Sequence, residues 1–183
     1  MSQRPVTLRR ITAQDWPAVH AWARLTEACR FQPWGPNTQE QTRDFVATAA
    51  GAWSDDPCHR HAFAAVLGRA VVGMGELHVR STRDRQGEIA YVVHPRLWGR
   101  GIATRIGREL LAYGFGELAL HRIHATCDPR NVGSSRVLTK LGMTCEGQLR
   151  HTRLIRDGWR DSLVFGVLEE EWRTRSGHAE EPR

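Results

Sequence analysis

The sequence predicts one mixed α/β domain whose first half is rich in strand hairpins. Three observations carry this. The chain has 183 residues, the length of a single domain that can bury a core of its own. Apolar residues recur with period two in some segments and with helical period in others, in the order β-α-α-β-β-β-α-β-α-β-β. No internal repeat and no linker-like stretch interrupts that order, so residues 1–183 read as one domain, with a core over about 5–172 and a flexible tail at 173–183.

Each element has its own signal. "VTLRRI" (6–11) reads as a first strand, and "TAQDWPAVHAWARL" as a helix with Thr12 as N-cap. "CRFQPWGPN" is a looser segment rich in turn formers. "TQEQTRDFVATAA" (38–50) reads as a helix between Thr38 as cap and Gly51 as stop. "HAFAAVLG" and "AVVGMGELHV" are apolar runs divided by the Gly68-Arg69 turn, an antiparallel hairpin. "GEIAYVVHP" (87–95) is a fourth strand, closed by Pro95. From Ile102 the period becomes helical, with Ile106, Leu110, Leu111 and Phe115 extending one stripe. "HRIHATCDP" (121–129) is a fifth strand, and "NVGSSRVLTKLG" (131–142) a short helix opened by Asn131 or Asp128 and stopped by Gly142. "MTCEGQLRHTRLIRDGWRDSLVFGVLEEEW" supplies two last strands around the "RDGW" turn.

Composition narrows the function classes. Hydrophobic residues make up 40% and charged residues 25%, the balance of an ordinary globular protein. The formal charge of +6 favours anionic partners, but the arginines are interleaved with acids and form no dense tract with aromatics, so no nucleic-acid role is expected. No apolar run approaches the roughly 18 residues of a membrane span, and "MSQRPVTLRR" has no apolar signal core. The cysteines at 29, 58, 127 and 145 lack CxxC spacing, which predicts reduced thiols and a cytoplasmic location. Cys58, His59 and His61 in "CHRH" do not match a zinc spacing, and no metal is expected.

"HPRLWGRGIATRIGRELL" (94–111) carries the chemistry. Gly99 and Gly101 sit where a helix begins, flanked by Arg96 and Arg100, and backbone N–H groups at such a start bind anions. No Gly-Lys-Ser/Thr follows, so a Walker-type loop is excluded. A dinucleotide fingerprint finds Thr104 at its third glycine position and "HPRLW" between strand and loop, with Asp128 as a stand-in for the ribose acid. A purely structural turn is the third reading.

Trp98-Gly99-Arg100-Gly101-Ile102-Ala103 also resembles the pyrophosphate loop of the GNAT superfamily of N-acetyltransferases, Q/R-x-x-G-x-G/A. "PRLWGRGIATRI" is similar to the RimJ/RimL-type branch in having Trp at the first position, with Arg105 where that branch carries an acid. "DPRNVGSSRVLTKLGM" (128–143) resembles the family's N-x-x-S-x-x-v-x-x-K-L-G-F segment, with Met143 for Phe, and the "EGQLR…DGWRD…EEEW" ending looks like the branch's own. The resemblance covers residues 5–172. It implies a mostly antiparallel twisted sheet, splayed between strands 4 and 5 and flanked by about four helices. It also implies acetyl-CoA as co-substrate, an amine acceptor and a homodimer.

The resemblance further implies that the backbones of Tyr91, Val92 and Val93 pair with pantetheine. Arg96, Trp98, Gly99, Arg100, Gly101, Ile102, Ala103 and Thr104 would form the pyrophosphate seat, and Asn131 and Ser134 would contact the arm and the sulfur. An aliphatic ammonium with a pKa near ~10 must lose a proton before it attacks. Glu88 is the first proton acceptor, with Glu76 and His78 as alternates, and Ser134 stands near the leaving thiolate. Phe31, Trp34 and Trp53, with Arg150 and Arg153, fall in the region expected to hold the acceptor, a protein N-terminal α-amine or a small amine. A non-catalytic acyl-CoA sensor is the alternative.

Overall fold

The computed structural model describes residues 6–175. Seven strands form one sheet in the order β1-β2-β3-β4-β5-β7-β6. They are β1 (Val6–Arg10), β2 (Arg60–Leu67), β3 (Ala70–Ser81), β4 (Gln86–Val93), β5 (Arg122–Cys127), β6 (Thr144–Ile155) and β7 (Gly158–Leu168). Neighbouring strands are antiparallel except β4 and β5. That parallel pair spans Gln86↔Arg122, Gly87↔Ile123 and Glu88↔His124, and beyond Glu88 the ladder stops. The expected splay between the fourth and fifth strands is therefore present.

Six α-helices accompany the sheet among the described residues: α1 (Trp16–Ala23), α2 (Thr26–Cys29), α3 (Gln39–Gly51), α4 (Ile102–Gly116), α5 (Val132–Lys140) and α6 (Glu169–Arg175). The four expected are α1, α3, α4 and α5, and the short α2 and α6 add to them. One-turn and two-turn helices show no readable period, and α2 falls between the segment read as the first helix and the one read as a loop, sharing only Cys29 with the latter. Residues 173–175 of the predicted tail complete α6, while Pro5 and 176–183 lie outside the described residues.

The helices cover both faces. Ile102, Ile106, Leu110, Leu111 and Phe115 of α4 pack with Leu77, Ile89, Val93 and Ile123 of the sheet. Val19, Trp22 and Ala23 of α1 and Val46 and Ala49 of α3 pack with Ala62, Ala64 and Met74 on the opposite face. Ile106, Leu110 and Leu111 are fully buried, each contributing about 1.5–3 kcal/mol. Gly75 of β3 permits this approach, because a Cβ there would stand 2.6 Å from Ile106 Cγ2.

Caps follow the sequence signals. Thr38 Oγ1 accepts from the Gln41 N–H (3.2 Å) while the Thr38 N–H donates to Gln41 Oε1 (2.9 Å), a capping box. Gly142 ends α5 at φ +82°. Gly51 is not a stop: its φ of −64° and ψ of −34° are helical, and the chain runs on into a 3₁₀ turn at Ala52–Ser54. The fourth strand ends at Val93, two residues early, because His94 caps a 3₁₀ turn over Pro95–Leu97. Proline at the first position of that turn has no N–H to donate to a ladder.

Candidate active site

The loop 98–104 links that turn to α4. Gly99 and Gly101 take φ of +77° and +75°, the left-handed region that glycine adopts without cost. A Cβ at either would meet nothing within 4 Å, so the turn is open above its backbone. The first bond inside α4 runs from the Arg105 N–H to the Gly101 carbonyl (3.0 Å). The N–H groups of Ile102, Ala103 and Thr104 are thus left without helical acceptors. Ile102 points its side chain into the core and Ala103 packs against it, so both could meet a ligand only through the backbone. Arg96 and Arg100 are exposed. Trp98 is half-exposed, and its indole N–H donates to the Val93 carbonyl (2.9 Å), fastening the loop to the end of β4. The loop fits a diphosphate held by backbone donors with arginines beside it.

Strand alternation sorts the β4 backbone. The His94 N–H donates to the Val72 carbonyl (2.9 Å), so even-numbered residues, Val92 included, turn their backbone groups to β3. The backbones of Tyr91 and Val93 turn the other way, into the gap left by β5. Of the three residues expected to pair with an extended ligand, Tyr91 and Val93 have that orientation and Val92 does not.

A cavity of about 260 Å³ fills the gap. Glu88, Tyr91, Asn131 and Ser134 line it, together with Phe31, Trp34, His78 and Arg153. Asn131 caps α5 by accepting the Ser134 N–H at Oδ1 (3.1 Å). Ser134 Oγ lies 3.1 Å from the Tyr91 hydroxyl, which also donates to the Ser134 carbonyl (3.3 Å). Burial pushes the Tyr91 hydroxyl far above its ordinary pKa, and the bond to Ser134 offsets that only in part. It therefore stays a neutral O–H donor. Sequence reasoning used only the backbone of Tyr91. Its place on the same strand face as Ile89 and Val93 was the available signal.

Glu88 is the last residue of β4 that pairs with β5. Arg80 Nε and Nη2 both donate to its Oε2 (2.8 and 2.5 Å), and His124 Nε2 lies 3.9 Å away. Glu76 and His78 do share a face of β3, with His78 Nε2 3.3 Å from Glu76 Oε2. Burial would raise the Glu76 pKa, but hydrogen bonds from His78 and Arg60 outweigh it and hold the carboxyl below its usual range. Asp128, the residue that would serve a dinucleotide ribose, accepts from the Arg130 N–H, Nε and Nη2 (2.8, 2.9 and 2.6 Å). That pairing lowers its pKa and occupies both its oxygens.

Of the expected acceptor residues, Phe31, Trp34 and Arg153 line the cavity. Trp53 instead donates its indole N–H to the Ala62 carbonyl (2.9 Å) and packs edge-on to His61 and Phe63. Arg150 is exposed and does not line the cavity. Sequence reasoning missed a second, apolar cavity of about 190 Å³ lined by Trp22, Trp34, Phe45, Met74 and Val92. It also missed Arg160 and Ser162 on the first. Arg156 closes this side by donating to the carbonyls of Cys29, Trp34 and Gly35.

The "CHRH" residues form no metal centre. His61 Nδ1 lies 3.8 Å from Cys58 Sγ and 3.1 Å from the Tyr113 hydroxyl, and no group of three potential metal ligands occurs among the described residues. All four cysteines are free thiols. Among the described residues no helix is long and apolar enough to cross a membrane.

Comparison with known proteins agrees with this geometry. Residues 6–144 match the model of the Acetyltransferase (GNAT) domain family. The chain is 29% identical over 173 residues to the uncharacterized N-acetyltransferase YnaD of Bacillus subtilis, covering 94% of this chain and 98% of that protein. It is 30% identical over 163 residues to YoaA, an uncharacterized N-acetyltransferase of the same organism, covering 88% and 92%. A crystal structure of a GNAT-family acetyltransferase from Bacillus anthracis superposes with a TM-score of 0.78 at 30% identity, over 93% of this chain and 98% of that one. A spermidine N-acetyltransferase from Vibrio cholerae, solved with CoA and spermine, shares the fold at 18% identity and a TM-score of 0.79, over 91% and 97%.

Proposed function

We infer that this chain, which belongs to the GNAT acetyltransferase domain family and is an N-acetyltransferase, moves an acetyl group from acetyl-CoA straight to a primary amine with both substrates bound together. The single observation that carries this is the β4–β5 gap. Two parallel strands pair for three residues and then part around a cavity, with an anion-seating turn where the first strand ends.

Acetyl-CoA supplies an activated thioester. The N–H groups of Ile102, Ala103 and Thr104, with Gly99, Gly101, Arg96, Arg100 and Trp98 around them, would hold its pyrophosphate. The gap-facing backbones of Tyr91 and Val93 would pair with the pantetheine arm. A β4 N–H aimed at the thioester oxygen would stabilise the oxyanion that forms on attack. Asn131 fixes the start of α5 and so places Ser134.

Ser134 and Tyr91 together present a hydroxyl donor to the departing sulfur. A thiol of pKa ~8.5 leaves as thiolate with modest help, so the pair accelerates the step without being indispensable to it. The acceptor ammonium must give up a proton. Glu88, at the mouth of the gap, takes it through water, and the His78–Glu76 pair offers a second route.

The acceptor is a small amine, for which the aromatic cavity beside the gap speaks, or a protein N-terminal α-amine, which the RimJ/RimL-like "PRLWGRGIA" stretch suggests. The reading places the protein in the cytoplasm, where acetyl-CoA is available. A screen of acetyl transfer over small amines and N-terminal peptides tests the function. Acetyl-CoA-dependent N-acetylation of at least one acceptor is expected. Acetyl-CoA binding without transfer to any of them would favour an acyl-CoA sensor instead.

A further inference from the structure

At the far end of the cavity from α4, the β6–β7 hairpin places two arginines face to face. Arg153 and Arg160 are direct cross-strand partners, so their side chains share one face of the hairpin, and both line the cavity with Ile155 and Ser162. Like charges directly opposite each other oppose pairing. Among the described residues the Arg153 side chain makes no hydrogen bond or ion pair. Arg160 is better held: Nη1 donates to the Trp159 carbonyl (2.9 Å) and Nη2 meets Asp157. Its Nε–H, however, is buried without a hydrogen-bond partner. Asp128 Oδ2 stands 3.9 Å from that nitrogen, too far for a hydrogen bond, and is already engaged by Arg130. A buried donor without an acceptor is costly, so this N–H favours an oxygen acceptor arriving from the cavity.

The carboxylates around the two cavities are the converse case. Glu88 is taken by Arg80, and Glu76 by Arg60 and His78. Asp161 accepts from the Gln148 amide (2.7 Å) and the His151 N–H (3.0 Å). A polycationic tail finds no unpaired carboxylate here, whereas an oxyanion finds the unpaired Arg153 guanidinium and, beside it, the one Arg160 donor that the Asp157 pairing leaves over. The apolar cavity shares Gln32, Trp34, Ala90 and Tyr91 with the first, so the two are contiguous. Trp22, Trp34 and Phe45 give it aromatic walls.

We propose that the acceptor is a small amine with an apolar body that also carries an oxyanion, a carboxylate or a phosphate, seated between Arg153 and Arg160. This rests on the transferase reading and names the substrate class of the same site. The body fills the aromatic cavity, the oxyanion bridges the two guanidiniums, and the amine is left toward Glu88 and the gap. Recognition is by charge-assisted, fork-shaped donors, which discriminate an oxyanion from a neutral or cationic group.

The test is acetyl transfer, followed as N-acetyl product, over matched acceptors. Phenylalanine is set against phenethylamine and phenylalaninamide, and O-phosphotyramine against tyramine, which separates carboxylate from phosphate on the same kind of apolar body. Spermidine and an N-terminal peptide amide complete the set. The wild-type protein is expected to favour at least one anionic member over its neutral partner by about tenfold or more in kcat/KM. In Arg153→Gln that ratio falls toward one, and in Arg153→Glu it inverts. Equal or better use of the neutral amines, spermidine or the peptide overturns the proposal, as does an anionic preference that survives Arg153→Glu. Calorimetry with acetyl-CoA on the same preparations keeps the two readings apart. Failure to bind acetyl-CoA overturns the transferase reading itself, whereas binding with no transfer to any anionic member overturns the acceptor class alone.

Discussion

At the α4 end of the gap, six consecutive residues, Gly99–Thr104, present backbone N–H groups and two left-handed glycines. At the hairpin end, Phe31 and Trp34 come from the segment after α2, Arg153 from β6 and Arg160 from β7. The first end is a stretch of backbone shape that its own sequence dictates. The second is a set of side chains that exists only after the segment following α2 has met a hairpin more than a hundred positions on. Main-chain donors suit a co-substrate whose phosphates never vary. A wall of side chains can be exchanged residue by residue, which lets one scaffold serve many acceptors.

The sharpest way to break the contrast is at the backbone end. Gly101→Glu forces a side chain onto φ +75° and puts a carboxylate over an anion seat. Acetyl-CoA affinity by calorimetry should fall at least about hundredfold, roughly 2.7 kcal/mol, with the thermal unfolding transition retained. Unchanged affinity would remove the loop from the account.

At the seam between the two ends, Ser134→Ala and Tyr91→Phe should each lower kcat by about tenfold with little change in acetyl-CoA affinity. Because the two hydroxyls act as one donor, the double variant should be little worse than either single one. Full additivity in kcat would show that they work separately.

A smaller effect concerns the framework behind both ends. Burial, against a bond to the Cys58 carbonyl, holds the His61 pKa below that of an ordinary imidazole, and burial likewise lowers His124. The unfolded chain therefore takes up these protons first. Their contribution is intact above about pH 6.5 and is lost as the pH falls through that value. Urea midpoints should drop between pH 7.5 and 5.5, and His61→Gln should shrink the drop. A slope unchanged in that variant would contradict the buried neutral imidazole.

The smallest effect is chemical labelling. Burial pushes the Cys127 thiol, on the cavity wall, up to about 11, while Cys145 is exposed. Iodoacetamide at pH 8 should modify Cys145 and spare Cys127 until the protein unfolds. Rapid labelling of Cys127 in the folded protein would show that the gap is wetter than drawn.

The legibility of the molecule follows the same divide. The loop at 98–104, α4, the Asn131 cap and the succession of strands along the chain could be read because their signals are local: glycine spacing, one apolar stripe, a turn every few residues. The boundary errors were local too, at Pro95 and Gly51, where a 3₁₀ turn took over from the expected strand end and helix stop. What the sequence hid were meetings across distance. The Tyr91 hydroxyl reaches Ser134 across 43 positions, the pairing of Arg153 with Arg160 depends on a register interrupted by irregularity between Leu149 and Arg153, and the apolar cavity needs α1, α3 and β3 at once. Trp53 shows the converse, an aromatic in the right stretch of chain that the fold spends on its core.

The central claim is that the two ends act on one gap at one time, so that the acetyl group passes directly from thioester to amine. Initial velocities measured while acetyl-CoA and an accepted amine are varied against each other test it most directly. Intersecting double-reciprocal lines, with no acetyl group retained on the protein in the absence of amine, are the predicted result. Parallel lines with a stable acetyl-enzyme would contradict it.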